Sequence, residues 1–373
     1  MRFAPRKRNR FGGVKITRLT MREQAFKRFT GDVTHRVLLR PSHRLEGHMR
    51  AFVTGAASPL GRALVSALTR RGHRVVGLVR RRNGVTLMEN LKAQPVVGDL
   101  TNPEVLVKAM KGCDVVFHVA NFFDLWARKP QVFDTVNVDG TKNTLAAAVI
   151  AKVPRAVYVS SCVTIGEFPG QLGNEWTHHR GWTLSHFERT KVAAEKTALK
   201  VRAKGIEVIV VNPGIIVGPA DPGWCGRMIS ETLTGQRRFA GNAPVGWIWA
   251  YDAAEAIILA YERGKDGERY ILSGETMSPR QFLTKVARLA GKRPPLPLPR
   301  KLAVPSAYVA TAVAAALGRR PFLSIDEARF TSIGFRADGS HAKNELGVQY
   351  TPVSKYLPLV VESYKKGLTR FAS

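Results

Sequence analysis

Two glycines and a serine in Gly55-Ala56-Ala57-Ser58-Pro59-Leu60-Gly61 are the first residues of this 373-residue chain whose types and spacing could do chemistry. They stand between a short apolar run, Arg50 to Thr54, and a stretch from Arg62 to Arg70 in which Leu64, Val65 and Leu68 recur at helical spacing. A strand, a tight turn and a helix in that order aim main-chain N–H groups and the positive end of a helix dipole at a pyrophosphate, and glycine lets the phosphate come close. Arg80-Arg81-Arg82 follows a second strand, Arg74 to Val79, where a fold that prefers NAD carries an acidic residue for the ribose hydroxyls. Guanidinium groups there can pair with a 2′-phosphate, which favours NADP(H) as cofactor, with NAD(H) as the alternative. The same arginines also fit a generally positive surface. Asp99-Leu100 closes a third strand, Gln94 to Gly98, where the carboxylate can accept from an adenine amine while the leucine covers the ring. After a fourth strand, Val115 to Phe117, the small residues of His118-Val119-Ala120 leave room for a ribose.

Positioning these groups requires strands that alternate with helices. The alternation continues through a helical stretch from Thr135 to Ile150 and a strand from Ala156 to Ser160. Strands separated by helices at this spacing imply an α/β fold with a doubly wound parallel sheet of the Rossmann type, and ligands then bind at the carboxyl ends of the strands. Segments rich in Gly, Pro and Trp, from Phe168 to Trp182 and from Pro219 to Trp249, read as loops that reach over those ends. With residues 273–373 they form a smaller C-terminal α/β substrate lobe. The expected organisation is a basic, disordered extension at 1–48 and one unit at 49–365. Within that unit 49–218 is mainly the dinucleotide-binding core and 219–365 mainly the substrate lobe, with shared strands.

In order and spacing, TGAASPLG (54–61), GDL (98–100), FHVA (117–120), NVDGT (137–141), YVSSCVTIG (158–166), TKVAAEK (190–196), VNPGIIVGP (211–219) and GERYILSGE (267–275) resemble the extended short-chain dehydrogenase/reductase family. The resemblance covers about residues 50–365 and is to the NAD-dependent epimerase/dehydratase type, in the branch of dihydroflavonol-reductase-like and sugar-epimerase-like proteins. It implies hydride exchange between a nicotinamide and a substrate carbon, with a serine, a tyrosine and a lysine handling the proton. Ser161 matches the serine that donates to the substrate oxygen. Lys191 matches the lysine that binds the nicotinamide ribose and lowers the tyrosine's pKa. Pro213 and Ile216 join Gly55, Ser58, Pro59, Leu60, Gly61, Arg80, Asp99, Leu100, Ala120 and Lys191 in the implied cofactor-binding set. Asp252, in WIWAYDAAEAI, matches a structural aspartate, and capping of a helix suffices to explain it.

Two departures bear on function. The family pattern puts tyrosine one helical turn before the lysine, and here that catalytic position is Phe187, in Phe187-Glu188-Arg189-Thr190-Lys191. Phenylalanine keeps the ring and has no hydroxyl, so the usual acid/base step is missing. No tyrosine lies near along the segment, the nearest in sequence being Tyr158 and Tyr251, and His186 points about 100° away around a helix. Thr183, Ser185 or a water held by Ser161 are the substitutes at hand. Loss of general acid/base help costs about 10²- to 10⁴-fold in rate, which weakens turnover without abolishing it. The second departure is Ser58 in the place of the turn's middle glycine, where a side chain narrows the approach to the pyrophosphate.

Bulk properties exclude little but are informative. The chain carries 58 Lys and Arg against 28 Asp and Glu, a net +30, and residues 1–50 hold 14 basic against 3 acidic residues. Such a field attracts phosphorylated cofactors, anionic substrates, nucleic acid or acidic lipid without choosing among them. No motif specific to nucleic-acid recognition accompanies it. Residues 1–48 read as a targeting peptide, an anion-binding arm or a stretch upstream of a start at Met49. Cys113, Cys162 and Cys225 lie far apart with no CxxC pair, which suggests a reducing, cytoplasmic setting, with an organelle-targeted N-terminus as the alternative. His178, His179 and His186 lack metal-site spacing, so no metal is expected. Trp176, Trp182, Trp224, Trp247 and Trp249 could line a ring-binding pocket, although ordinary packing explains any one of them better. The run from Leu302 to Leu317 falls short of the ~18 uninterrupted apolar residues that a membrane span needs. It reads as a buried or groove-lining helix, with a membrane-surface contact as the minority view.

The leading functional expectation is an NAD(P)-dependent oxidoreductase or epimerase-like enzyme acting on a small-molecule carbonyl or secondary alcohol, with an altered proton route. The alternative is a catalytically reduced dinucleotide-binding protein with a structural or redox-sensing role in a complex. The oligomeric state stays open, a homodimer being one option.

Overall fold

β-Branched strands alternating with amphipathic helices give the expected α/β architecture in a computed structural model, which describes residues 47–167 and 172–367. The extension expected at residues 1–48 lies outside the described residues as far as residue 46, and so does the start of the first Gly/Pro/Trp loop, 168–171. Seven strands form the central sheet: β1 (Arg50–Thr54), β2 (Arg74–Val79), β3 (Gln94–Val97), β4 (Val115–His118), β5 (Arg155–Val159), β6 (Glu207–Pro213) and β7 (Arg269–Leu272). Their order is β7-β6-β5-β4-β1-β2-β3, and every neighbouring pair is parallel. Strand order reverses between β1 and β4, and that reversal opens a crevice beyond the carboxyl ends of the strands.

Helices cover both faces of the sheet, which is why strands such as Val208-Ile209-Val210-Val211 are apolar at every position and wholly buried. Five helices follow the first strands: α1 (Pro59–Arg70), α2 (Arg82–Asn90), α3 (Pro103–Met110), α4 (Gly140–Ile150) and α5 (His186–Lys200). On one face Phe52, Val116, Tyr158 and Val210 of the sheet pack with Leu145 of α4 and Ala194 of α5. A fully buried aliphatic side chain of this kind contributes about 1.5–3 kcal/mol on leaving water. Serines set the starts of the two helices nearest the crevice. Ser58 Oγ accepts from Gly61 N at 3.0 Å to cap α1, and Ser185 Oγ accepts from Glu188 N at 3.1 Å to cap α5.

Downstream come α6 (Trp224–Thr234), α7 (Ala250–Arg263), α8 (Pro279–Ala290), α9 (Arg300–Ala316), α10 (Ile325–Ile333) and α11 (Val353–Gly367). A three-stranded sheet of Ile215–Val217, Val245–Trp249 and Glu275–Met277 accompanies them, while β7 belongs to the central sheet and α7 packs on α1. Among the described residues no helix is long and apolar enough to cross a membrane.

Two expectations change here, and the tryptophans are sorted between packing and surface. Asp252 does not cap α7, whose N-cap is Trp249. Its carboxylate accepts instead from Thr351 N at 2.6 Å and Thr351 Oγ1 at 3.0 Å, so it ties α7 to the residues just before α11. The tryptophans divide: Trp224, Trp247 and Trp249 are core, and Trp176 and Trp182 are exposed. Trp247 stacks on Phe282 with ring centroids 4.0 Å apart and donates from Nε1 to Met277 O at 2.9 Å. Finally, α9 is a helix as expected, but its fully buried residues are the alanines Ala303, Ala307, Ala310 and Ala314, with Val304 partly buried beside them, while Leu302, Val309 and Val313 face outward.

Candidate functional site

Backbone geometry in the turn after β1 explains both glycines. Gly55 has a φ of +64°, and a Cβ there would lie 2.8 Å from the Ala120 main chain. A Cβ on Gly61 would lie 2.1 Å from the Gly55 carbonyl oxygen, so α1 can start this close to β1 only without a side chain at that position. Ser58, expected to narrow the approach, folds back on the helix it caps: its N–H donates to Gly55 O at 2.9 Å and its Oγ serves Gly61 N. The Ser58 hydroxyl proton remains available to an acceptor. Pro59 fills the first helical position and Leu60 is buried. Among the described residues the main-chain N–H groups of Ala57 and Leu60 have no partner, so the turn keeps open donors at a helix N-terminus. This arrangement fits a pyrophosphate.

The register Val53↔Gly77 sets Arg80, just past β2, beside that turn. Arg80, Arg81 and Arg82 are exposed, and none pairs with a carboxylate among the described residues. Elsewhere surface arginines do find carboxylates, as in Arg155–Glu207, Arg189–Asp134 and Arg202–Asp266. Asp99, past β3, uses Oδ1 to accept from Thr101 N and Thr101 Oγ1, each at 3.0 Å. Leu100 packs on Gly140, where a Cβ would come within 2.8 Å of it. Ala120 N donates to Thr54 Oγ1 at 3.1 Å, joining the ends of β4 and β1. Pro213 closes β6, and Ile216 lies one strand further on, paired with Ile248 in the three-stranded sheet.

The chemistry-bearing residues stand at the end of β5 and on α5. Ser161, nearly buried, opens a 3₁₀ turn, and its Oγ accepts from Val163 N at 3.4 Å. Lys191 is buried, its Nζ donating to Val159 O at 2.8 Å and lying 4.6 Å from the centroid of the Tyr158 ring. Burial pushes the Lys191 ammonium down to about 7, against the opposing pull of Glu195. The fold therefore sets a tyrosine beside Lys191, although none lies near it along the helix. It is no substitute, because Tyr158 is wholly buried and burial pushes its hydroxyl far above the ordinary range. Phe187, one turn before Lys191, packs on Phe123 with centroids 4.7 Å apart, and Phe123 meets Trp224 edge-on. Of the other proton-handling candidates, Ser185 Oγ is occupied as the cap of α5. His186 has turned to Asp326, with Nδ1 2.9 Å from Oδ2, and His179 Nε2 lies 2.9 Å from Glu188 Oε1.

Three polar residues inside the quoted motifs, to which the sequence assigns no role, hold this arrangement. His118 joins Thr54 Oγ1 (2.8 Å) to Thr141 Oγ1 (2.9 Å), and burial with the nearby Lys191 charge pushes its pKa down to about 3. Asn137 accepts from Phe122 N at 2.7 Å and donates to Thr190 Oγ1 at 3.0 Å, linking the loop after β4 to α5. Glu195 Oε2 accepts from Ser160 Oγ (2.5 Å), Thr164 Oγ1 (2.7 Å) and Asn212 Nδ2 (2.8 Å), which fixes the strand end that carries Ser161. The signal for all three is a polar side chain within a largely apolar or small-residue stretch. On the lobe side, Arg227 Nη2 at 3.0 Å and Arg320 Nη2 at 2.5 Å converge on Asp124. Burial works against the Asp124 charge, yet the two guanidinium groups hold its carboxyl below the usual range.

The tight contact at Gly61 gives a direct test. Gly61→Ala drives a Cβ into backbone rather than into a flexible side chain, so α1 must shift off the turn. The expected result is a stability loss of about 1–3 kcal/mol by thermal melting, together with weakened nicotinamide-coenzyme binding by fluorescence titration. Unchanged binding and melting would show that the turn tolerates the shift.

A family model described as the NAD dependent epimerase/dehydratase family matches residues 51–273. The chain belongs to that family. A protein of Synechocystis sp. provisionally named a dihydroflavonol 4-reductase is 33% identical over 315 residues, covering 82% of this chain and 92% of its own length. The 4-hydroxy-2-methyl-3-oxo-4-farnesyl-3,4-dihydroquinoline-1-oxide ketoreductase of Stigmatella aurantiaca is 34% identical over 247 residues, 65% of this chain and 74% of that protein. Among solved structures, gox2253 superposes with a TM-score of 0.74 at 31% identity, covering 86% of this chain and 99% of its own. The epimerase/dehydratase match spans β1 to the end of β7, the stretch that supplies the strand ends described above.

Proposed function

We propose that this protein is a reductase that prefers NADP(H), acts on a carbonyl or secondary alcohol of a small molecule, and handles the substrate proton without a tyrosine hydroxyl. The observation that carries this reading is the buried Lys191. It is anchored to Val159, two residues from Ser161, its pKa is lowered to about 7, and it lies one turn from a phenylalanine. When bound, a nicotinamide dinucleotide supplies or takes up hydride at the substrate carbon. The open N–H groups of Ala57 and Leu60 and the Ser58 hydroxyl would hold its pyrophosphate, with Gly55, Pro59 and Gly61 shaping the turn. Asp99 and Leu100 would hold the adenine, Arg80 a 2′-phosphate, and Ala120, Pro213 and Ile216 the remainder. Lys191 spends one N–H on Val159 and has two left, one for a ribose hydroxyl and one for the Ser161 hydroxyl.

In this scheme Ser161 donates to the substrate oxygen, and Lys191 replaces the proton through the Ser161 hydroxyl. An amine that titrates near neutrality can give a proton and regain it at working pH. Phe187 fills the volume of the absent phenol and, with Phe123, keeps water from that side. The name of the Stigmatella relative supports ketone reduction. That same aromatic packing also favours a second reading, a dinucleotide-binding protein with a structural or redox-sensing role in a complex. Titration with NADPH and NADH followed by assay on a simple ketone separates the two: binding with turnover supports the reductase, binding without turnover the second reading, and no binding removes both. Within the first reading, Arg80→Ala with Arg81→Ala should weaken NADPH about tenfold relative to NADH, since a charge-assisted hydrogen bond contributes about 1.5–3 kcal/mol. An unchanged ratio would assign those arginines to the general surface.

A further inference from the structure

We propose that the outer face of α9 docks on the surface of an anionic lipid bilayer, lying in the plane of the headgroups rather than crossing. On a ~3.6-residue repeat, Leu302, Pro305, Val309, Val313 and Ala316 fall on one stripe of this helix, with Leu317 at its end. Leu302, Val309, Val313 and Leu317 are 54–66% exposed, although nothing about them is polar. The side that faces the protein is built mainly on alanines: Ala303 and Ala307 seat against Leu323 and against Ala328 of α10, with Val304 partly buried beside them. Small residues inside and large aliphatic residues outside invert the pattern of a helix that serves a globular core. A contiguous apolar surface of this kind marks a partner.

Charge selects which partner. From Lys292 to Ser324 the sequence holds six basic residues and no acidic one. Arg293, Arg300 and Lys301 precede the stripe and Arg319 follows it, all exposed. An aliphatic stripe with cations at both ends complements acyl chains beneath anionic headgroups. Tyr308 flanks the stripe and keeps its hydroxyl on Arg329 Nη2 at 3.2 Å, an amphipathic ring at the level where water gives way to hydrocarbon. A protein partner would instead meet a centre built on Trp, Tyr and Arg, and the stripe itself has none. Because α9 stays attached along its alanine side and is too short and polar at its ends to span, the contact is interfacial.

Flotation of the purified full chain with vesicles of phosphatidylcholine, alone or mixed with phosphatidylglycerol, tests this. The wild type should float with the mixed vesicles. Leu302→Ser/Val309→Ser/Val313→Ser leaves every charge in place, including those of residues 1–46, and removes only surface side chains. It should lose binding by about tenfold at a salt concentration that screens simple adsorption. As a second readout, Val309→Cys can be labelled with a polarity-sensitive dye, because Cys113, Cys162 and Cys225 are buried. Its emission should shift to the blue on the mixed vesicles. Equal flotation of wild type and triple variant with no dye shift overturns the proposal in favour of general electrostatic adsorption. Absence of vesicle binding, with self-association that the triple variant abolishes, overturns it in favour of a contact between two copies.

Discussion

Phe187→Tyr should raise the turnover of a simple ketone by about 10²- to 10⁴-fold, the usual contribution of a positioned general acid. Phe187 stands one helical turn before Lys191 on α5, so the ring is already placed and only the hydroxyl is lacking. Lys191 would lower the pKa of that new phenol, as an ammonium does for any anion formed beside it. The ring packs against Phe123 at 4.7 Å and is almost wholly buried, so the added oxygen must point into the crevice or remain unsatisfied. Steady-state assays of both forms at saturating NADPH decide the matter. A wild type as fast as the variant would show that Ser161 and Lys191 already complete the proton route, and that the missing phenol costs nothing. Coenzyme binding without turnover by either form would move the protein to its second reading.

Lys191→Met should flatten the dependence of stability on pH. An ordinary lysine titrates near 10.5, and burial lowers Lys191 to about 7 in the folded protein. Between those values the unfolded chain holds one more proton than the folded one, so wild-type stability rises with pH across that interval, by up to about 1.4 kcal/mol per pH unit from this group. Below about 7 the ammonium is charged in both states and its full burial penalty is present, while above the unfolded value both states are neutral and the dependence stops. Methionine retains the buried stem and removes the titration. Urea midpoints collected between pH ~7 and ~10 should climb for the wild type and climb less for the variant. Matching slopes would mean that the ammonium finds enough compensation at Val159, Tyr158 and Glu195 to keep its ordinary pKa. In the same variant, turnover should fall with the loss of an amine that titrates near neutrality two residues from Ser161 through its anchor at Val159.

The two outcomes are linked through Glu195. Its carboxylate gathers Ser160, Thr164 and Asn212 on one oxygen and approaches Arg269 at 3.5 Å on the other. It also raises the pKa of Lys191, one turn earlier. The same buried charge therefore holds the strand end that presents Ser161 and sets how readily Lys191 gives up a proton.

Local physics made much of this protein readable without coordinates. Parallel strands buried on both faces favour apolar residues throughout, a serine side chain favours a helix start, and a left-handed turn crowded by backbone favours glycine. Arg50–Thr54, Ser58, Gly55 and Gly61 announce themselves for those reasons, and Ser161, Phe187 and Lys191 follow from motif order. Tertiary structure alone decided what each group faces. It put the Tyr158 ring under Lys191, turned the Ser58 hydroxyl back to Gly61, sent Asp252 to Thr351 instead of to a helix end, and pointed Leu302, Val309 and Val313 of α9 away from the core. Periodicity along a chain shows that a helix has two sides, but the neighbour packed against it determines which side is inner. A pKa likewise depends on burial and on charges brought together from distant positions, and neither exists until the chain has folded.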